Sequence, residues 1–203
     1  MVLAPHTDDG ELGCGGTIAK FVKEGKEVHY IAFSFADQQR LKDELYTALD
    51  VLGVISRYIY IHSFKRREFK NQRQELLDLM INYDQDINPE AVLIPSSFDM
   101  HQDHYVIHRE GIRAFKRRTI LGYEQPWNNI TFRTDFFIPL NKEYIDLKIK
   151  ALACYKSQKH RKYLDPDFIE ALAKVRGIQA NVDYAEAFET IRVIYNNKNG
   201  EVI

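Results

Sequence analysis

Short apolar runs alternate with longer amphipathic segments through the first part of the chain. The short runs are rich in Val, Ile and aromatic residues, which favours β-strands at residues 2–4, 28–34, 58–61, 91–95 and 120–123. Apolar positions between them recur at helical spacing, which predicts helices at residues 16–24, 38–52, 72–83 and 103–117. Gly25 and Gly53 follow the first two helices and are expected to cap their C-termini. This alternation predicts a parallel sheet whose strands are joined by crossover helices.

The later part of the chain follows a less regular pattern. One more strand is predicted at residues 132–138, at an edge of the sheet, and the chain after it is expected to form a helical C-terminal tail. Helices are expected near residues 141–155 and 166–176. The second of these has Asp165 as its predicted N-cap and Pro166 in its first turn.

Composition and charge limit the classes of partner. With 203 residues, of which 45% are hydrophobic and 28% charged, the chain can bury a sizeable core. No repeat or Gly/Ser-rich linker divides residues 1–203, so we expect a single α/β domain. A net charge of −1 gives no electrostatic reason to expect nucleic acid or an anionic membrane as partner. Basic runs at residues 65–67 and 116–118 are expected on solvated faces, with an acidic substrate such as a nucleotide sugar as the alternative.

The sequence also predicts the cellular compartment. No apolar stretch approaches the roughly 18 residues that a membrane-spanning helix needs, and the start of the chain lacks the pattern of a secretion signal. We therefore expect a cytoplasmic protein without an integral membrane segment. Cys14 and Cys154 lack metal-ligand spacing and are expected to be packed thiols.

A first concentration of polar chemistry directly follows the first predicted strand, where His6, Asp8 and Asp9 stand close together. Ligands of open parallel sheets bind beyond the carboxyl ends of strands, so these side chains are expected in the functional crevice. Two adjacent aspartates raise each other's pKa unless a cation or a hydrogen-bond donor lies between them, which favours a metal ion. The structural alternative is that Asp8 or Asp9 caps the following helix.

A second cluster, formed by His101, Asp103 and His104, lies just past the fourth predicted strand. In the common strand order 3-2-1-4-5 the first and fourth strands are neighbours, which would bring both clusters over one crevice. One carboxylate and two imidazoles with open positions form a known catalytic zinc arrangement, and non-heme iron uses the same ligand types. Any one of these histidines alone would suggest an ordinary surface or capping residue. The two clusters together predict a site for Zn²⁺, with Fe²⁺ or another divalent ion as the alternative.

Both motifs resemble those of the PIG-L/LmbE family of zinc-dependent N-acetylglucosaminyl deacetylases, with APHTDDGELGCGGT at residues 4–17 and HQDH at residues 101–104. The similarity extends to Glu44, Ala48, Leu52, Gly53 and the segments 155–158 and 184–188. It implies a Rossmann-like fold. Thr7 stands where the family usually has proline, and Gly10 where it usually has glutamate. Neither position is an expected ligand, so these departures concern the substrate more than the reaction.

The resemblance also implies roles for individual residues. The matching positions are the metal ligands His6, Asp9 and His104, the general base Asp8, and the histidine that assists at the carbonyl, His101. Asp103 is expected to support His101 as an imidazolium, and Arg40 is a candidate substrate contact.

These features together predict a zinc-dependent hydrolase that removes the acetyl group from an N-acetylglucosamine-type amino sugar or its conjugate. Water activated at the metal would attack the amide, Asp8 would transfer the proton, and His101 would stabilise the oxyanion. One alternative is a non-catalytic, metal-dependent protein that binds a sugar or a nucleotide. Another is an iron-dependent oxygenase, in which the extra carboxylate of Asp8 has no obvious task.

Three other features are interpreted mainly as structural. The glycine-rich segment 13–16 could cradle a phosphate, but it lacks the full dinucleotide-binding fingerprint, so tight packing of helix on strand is expected. His108 follows His104 at a spacing that zinc proteases use, yet it is expected to face solvent. Tyr123 and Trp127 are candidates either for an aromatic wall beside a sugar or for the core.

Overall fold

A seven-stranded sheet runs through the computed structural model, which describes residues 1–194. Its strands are β1 (Val2–His6), β2 (Tyr30–Ser34), β3 (Ile59–Ile61), β4 (Ala91–Pro95), β5 (Thr119–Tyr123), β6 (Phe136–Leu140) and β7 (Tyr184–Arg192). They lie in the order β3-β2-β1-β4-β5-β7-β6, and β1 to β5 are parallel. The predicted order 3-2-1-4-5 is therefore confirmed.

The helices are α1 (Asp9–Lys23), α2 (Gln39–Val51), α3 (Arg73–Ile87), α4 (Gln102–Ala114), α5 (Lys142–Leu152) and α6 (Pro166–Gln179). Gly25 and Gly53 adopt φ angles of 79° and 80° just past α1 and α2, which confirms the predicted C-terminal caps. Asp165 caps α6 by accepting hydrogen bonds from two backbone N–H groups of its first turn, as predicted. Within the described part of the chain, no helix is long and apolar enough to cross a bilayer.

Both faces of the sheet are covered, which explains the continuous apolar character of the parallel strands. In β1, Val2 and Ala4 face the cluster formed with α1, α2 and α5, whereas Leu3 faces the cluster formed with α3 and α4. Because helices cover both faces of the sheet, a ligand can reach the sheet only at the ends of its strands. The loops that follow the carboxyl ends of the strands are the ones that build the site.

The strand β7 is the main difference from the predicted architecture. Helices α5 and α6 are confirmed, but the expected helical tail ends at residue 179, and residues 184–192 form a strand antiparallel to both β5 and β6. The predicted edge strand corresponds to β6. The sequence of β7, YAEAFETIR, is rich in Ala and Glu, which β-strands disfavour, so its pattern did not indicate a strand.

A buried carboxylate on β7 accounts for the glycine-rich segment of α1. Glu186 accepts hydrogen bonds from the backbone N–H of Gly16, at 3.0 Å, and of Thr17, at 2.7 Å, and its charge is balanced by Lys148 Nζ at 2.6 Å. These N–H groups are free because α1 is kinked at Cys14, whose φ of −147° is not helical. A protein carboxylate thus occupies the place where a phosphate could have bound, and the expected tight packing holds: a Cβ on Gly13 would lie 2.3 Å from the Tyr123 ring.

Candidate metal and active site

The two polar clusters lie at the carboxyl ends of neighbouring strands. His6 is the last residue of β1 and Asp9 the first of α1, while His101 is the N-cap of α4, in the loop after β4. Since β1 and β4 pair in the sheet, the two loops meet above it. The expected convergence of residues that are almost a hundred positions apart is present in the structure.

Three candidate ligand atoms form a compact triangle. Asp9 Oδ2 lies 3.1 Å from His6 Nδ1 and 3.1 Å from His104 Nε2, and the two nitrogens are 3.3 Å apart. Ligand atoms in a tetrahedral zinc site are separated by about 3.3 Å, given bond lengths of roughly 2.0–2.1 Å. The three atoms therefore have the spacing and the chemical types that a single divalent ion requires.

His101 belongs to the same cluster and offers a second grouping. Ligand nitrogens of His6, His101 and His104 all lie within 4.8 Å of one another. The grouping with Asp9 is tighter, and it supplies a negative charge, which a divalent cation favours. His101 Nδ1, moreover, is occupied by the backbone N–H of Asp103 at 3.1 Å. We therefore favour Asp9 over His101 as the third ligand.

The electrostatics of the triangle favour a cation. Burial alone would lower the pKa of His104, but the carboxylates of Asp9 and Asp99 raise it to about 10. Burial would likewise raise the pKa of Asp9, but His104 and His6 hold it well below its usual range. The carboxylates thus attract positive charge to the triangle, and a metal ion could supply that charge in place of protons.

The second ring nitrogen of each candidate histidine ligand contacts a buried carboxylate. His104 Nδ1 lies 2.6 Å from Asp99 Oδ2, and His6 Nε2 lies 3.0 Å from Asp103 Oδ2. Zinc-bound histidines characteristically have such a partner, which fixes the ring and increases its basicity. Sequence reasoning missed Asp99, although an acid close before two histidines was a signal that could have been used.

The role predicted for Asp103 differs from what the structure contains. Its carboxylate contacts His6 and the backbone N–H of Arg67, at 2.7 Å, rather than the His101 ring. Only the backbone N–H of Asp103 reaches His101, because His101 is the N-cap and Asp103 lies in the first turn of α4. Asp103 is therefore a partner of the candidate ligand His6.

The protonation state expected for His101 also needs correction. Burial, followed by the neighbouring His104 and His6, lowers the pKa of His101 to about 4, so its ring is neutral at pH 7. Because Nδ1 accepts the backbone hydrogen bond, the proton resides on Nε2. A neutral imidazole of this tautomer can still donate one hydrogen bond into the cavity, but it is not the imidazolium that was expected.

Asp8 stands at the N-cap position of α1, yet its side chain makes no capping hydrogen bond. The side chain of Asp9 instead accepts the backbone N–H of His6 at 2.8 Å. The capping alternative is thus not observed for either aspartate. Asp8 lines the same cavity as the triangle, and burial together with the adjacent Asp9 raises the pKa of its carboxyl, which suits a proton acceptor.

A buried network fixes the backbone beside Asp8. The carbonyl of Thr7 accepts hydrogen bonds from the hydroxyl of Tyr155, at 2.5 Å, and from that of Tyr30, at 3.4 Å. Both tyrosines also contact Glu11, whose burial raises its pKa to about 8. Tyr30 explains the departure at Gly10 as well, because a Cβ there would lie 2.5 Å from the tyrosine ring.

The site opens into a cavity that both polar clusters line. Arg40, the predicted substrate contact, does not line it. Its guanidinium is bonded to Glu44 at 3.0 Å on the exposed side of α2. The arginines that line the cavity are Arg66, Arg67 and Arg161.

The remaining predicted residues divide between cavity and core. Trp127 is 71% exposed and lines the cavity, whereas Tyr123 is buried and donates to the carbonyl of Leu3. The expectation that His108 faces solvent is wrong. Its ring is buried, and Nδ1 lies 2.8 Å from the carbonyl of Pro95, which fastens α4 to the end of β4.

Comparison with known proteins links this geometry to a family and to a fold. An Escherichia coli K12 protein described as "uncharacterized deacetylase YaiS" is 26% identical over 167 residues, which span 77% of this chain and 90% of that protein. The N,N'-diacetylchitobiose deacetylase of Pyrococcus horikoshii has the same fold, with a TM-score of 0.75 at 21% identity over 94% of this chain and 82% of its own. So does GalB, the 4-carboxy-2-hydroxymuconate hydratase of Pseudomonas putida KT2440, with a TM-score of 0.72 at 22% identity over 96% and 97%.

The family assignment rests on a match to the sequence itself. A family model described as GlcNAc-PI de-N-acetylase matches residues 1–115, more than half of the chain. The matched segment contains both polar clusters and the loops that carry them. This chain belongs to the GlcNAc-PI de-N-acetylase (PIG-L) family.

Proposed function

We propose that this protein is a metal-dependent N-deacetylase that hydrolyses the acetamide of an N-acetylglucosamine-type amino sugar or its conjugate. The observation that carries the proposal is the triangle of Asp9 Oδ2, His6 Nδ1 and His104 Nε2, with Asp8 beside it in one open cavity. Family membership supports the reaction type, and the deacetylase names of YaiS and of the Pyrococcus horikoshii enzyme agree with it.

His6, Asp9 and His104 would hold the divalent ion, for which Zn²⁺ is our first choice. When bound in such a site, the ion lowers the pKa of water towards about 7 and polarises a carbonyl. Asp99 and Asp103, each on the far side of one histidine, fix the two rings and add negative charge behind them.

Asp8 acts as the general base and then as the general acid. Its carboxylate takes a proton from the attacking water and later delivers that proton to the departing amine. The raised pKa of Asp8 moves its proton affinity towards the value that such a shuttle needs near neutral pH. His101 donates its Nε2 proton in a hydrogen bond to the oxygen of the acetyl group as negative charge develops there.

Other functions on this fold are separated by the products formed. The GalB hydratase shares the fold, so the fold alone does not select hydrolysis. Release of acetate from N-acetylglucosamine or a nucleotide-linked derivative, lost on chelation and restored by Zn²⁺, would support the proposed function. Metal-dependent binding of the sugar without acetate release would instead support a non-catalytic binding protein.

The substitution Asp8→Asn tests the assignment of the base. Asparagine preserves the shape of the side chain but cannot accept the proton, so acetate release is expected to fall by about 100- to 10,000-fold. Zinc content, measured by elemental analysis, is expected to stay at the wild-type level because Asp8 is outside the ligand triangle. Asp50→Asn on the exposed face of α2 is the matched control. Wild-type turnover in Asp8→Asn would remove Asp8 from the mechanism.

A further inference from the structure

A chain of buried hydrogen bonds ends on the peptide that carries the proposed base. The carbonyl of Thr7 and the N–H of Asp8 belong to one planar peptide unit, so a hydrogen bond to that carbonyl restricts the direction in which the Asp8 side chain leaves the backbone. Thr7 lies between β1 and α1 and belongs to neither. Within residues 1–194, the donors to its carbonyl are the hydroxyls of Tyr155 and Tyr30, at 2.5 and 3.4 Å. The orientation of the proposed base therefore depends on side chains from outside its own loop.

The number of protons available in this chain determines its direction. The Tyr155 oxygen lies 2.5 Å from the carbonyl of Thr7 and also 2.5 Å from Glu11 Oε1. A tyrosine hydroxyl has one proton and a carbonyl has none, so both contacts are hydrogen bonds only if Glu11 donates to Tyr155 and Tyr155 donates to Thr7. Tyr30 donates to the other oxygen of Glu11 and accepts the backbone N–H of Gly10 at 3.2 Å. Every proton is then used once along the chain.

The chain is shielded from solvent. Tyr30 and Glu11 are 0% exposed, and Tyr155 is 1% exposed. Among the described residues, the carboxyl of Glu11 has only the two tyrosine hydroxyls as hydrogen-bond partners. Burying a carboxylate without a cationic partner is costly, which favours the neutral acid that the proton count requires. The chain is therefore a fixed internal structure whose last donor is Tyr155.

Tyr155 reaches the loop after β1 from a distant part of the sequence. It lies just past the end of α5, 148 positions from Thr7. Another buried tyrosine makes a similar contact: the hydroxyl of Tyr123 donates to the carbonyl of Leu3, inside β1, at 2.9 Å. Both hydroxyls thus bond to the backbone of the same segment, but only that of Tyr155 bonds to the peptide of the proposed base.

We infer that Tyr155 and Glu11 are positioning residues, which hold the Asp8 carboxylate in the direction that proton transfer requires. The inference rests on the proposed function, because it concerns the base of that reaction. Neither side chain is among those that line the cavity, so both act through the peptide between Thr7 and Asp8 rather than on the substrate. A general base has to lie within hydrogen-bonding distance of the water that it deprotonates, and a misplacement of about 1 Å can slow a reaction by about 100-fold.

Tyr155→Phe removes the last donor of the chain and keeps the ring. The kcat for acetate release is expected to fall by about 10- to 100-fold, with KM and zinc content unchanged, because no contact to substrate or metal is altered. Tyr123→Phe is the matched control, since it loses a buried hydroxyl of the same kind and should combine a similar loss of thermal stability with the wild-type kcat. Wild-type kcat in Tyr155→Phe, or an equal fall in both variants, would overturn the inference.

Two substitutions of Glu11 test the direction of the chain. Glu11→Gln keeps one donor and one acceptor, so it can donate to Tyr155 and accept from Tyr30, and kcat should stay within about threefold of the wild-type value. Glu11→Met has a similar length but neither group, and it should reproduce the fall in kcat of Tyr155→Phe. An equal fall in the two Glu11 variants would show that the carboxyl is not the donor to Tyr155, and the inference would be wrong.

A double-mutant cycle tests whether Tyr155 acts through the base. In the Asp8→Asn background, Tyr155→Phe should have no additional effect on acetate release, whereas the same fold-change in both backgrounds would contradict the inference.

Crystal structures of the zinc-loaded variants give a readout that requires no turnover. The Asp8 carboxylate is expected to move by about 1 Å in Tyr155→Phe and to keep its position in Tyr123→Phe. An unmoved carboxylate in Tyr155→Phe would overturn the inference. If the wild-type protein releases no acetate, the proposed function fails, while the position of Asp8 still decides whether Tyr155 holds it.

Discussion

Residues 1–115 and residues 116–194 contribute different parts of the site. The first region provides every candidate metal ligand, the proposed base and His101. The second contributes only to the cavity wall, through Gln125, Trp127, Asn128, Gln158, Arg161 and Tyr163. The family model matches the first region alone. The candidate chemical groups therefore come from the first region alone, whereas both regions contribute side chains to the cavity wall that a substrate would contact.

The second region also supports the first. Tyr155 fixes the carbonyl of Thr7, and Gln125 Nε2 donates to the carbonyl of Asp9 at 2.7 Å. Glu44 on α2 accepts the backbone N–H of Ser157 at 3.0 Å, which holds the turn that contains Gln158 against the first region. The two regions therefore fold as one unit around the cavity, although their chemical contributions are separate.

The largest effect is expected from a ligand in the first region. His104→Ala should lose its bound zinc and, with it, acetate release by several orders of magnitude, because a three-ligand site tolerates the loss of one ligand poorly. Elemental analysis and the acetate assay measure the two effects. His29→Ala is the control, since His29 precedes the amino end of β2 and contacts Tyr60 rather than the site. Unchanged zinc content in His104→Ala would show that His104 is not a metal ligand and that the first region does not hold the ion in the proposed way.

How much of the fold could be predicted from the sequence depended on the local pattern of each strand. Strands β1 to β5 were predicted, in the correct order, because parallel strands buried on both faces are continuously apolar. Strand β7 was missed because its inward-facing residues include Glu186 and Glu189, whose carboxylates are satisfied by distant groups that no local pattern reveals.

The site residues that could be predicted were likewise those with a local sequence pattern. Short motifs beside strand ends indicated the candidate ligands and Asp8, since their spacing and their position on the sheet were readable in one segment. The contact between Asp103 and His6, 97 positions apart, could not be predicted in this way. Arg40 was misassigned for a different reason, because it pairs with Glu44 one turn along its own helix instead of reaching the cavity. Side-chain directions in loops depend on tertiary packing, which the sequence pattern does not encode.

A smaller effect is expected from a residue that contacts a candidate ligand but would not contact the ion. Asp99→Asn removes the negative charge 2.6 Å from His104 Nδ1 and should weaken zinc affinity by about 10- to 100-fold, as for other partners of metal-bound histidines. Competition with a chelator of known affinity measures the change. Asp84→Asn is the matched control, because that carboxylate pairs with Arg118 far from the cavity. Wild-type zinc affinity in Asp99→Asn would mean that the buried pair orients α4 without tuning the metal site.

The smallest effect is expected from a cavity-wall residue of the second region. Trp127 is 71% exposed and lies 5.9 Å from Tyr163, ring to ring, so its indole is positioned to stack on a sugar but not to touch the reacting amide. Trp127→Ala should raise KM by about 2- to 10-fold, equivalent to roughly 0.5–1.5 kcal/mol of lost contact, and leave kcat and zinc content unchanged. Ile130→Ala in the same loop, 82% exposed and outside the cavity lining, is the control. A fall in kcat with KM unchanged would show that the second region also takes part in the chemical step, because a contact made only in the transition state lowers kcat rather than affinity.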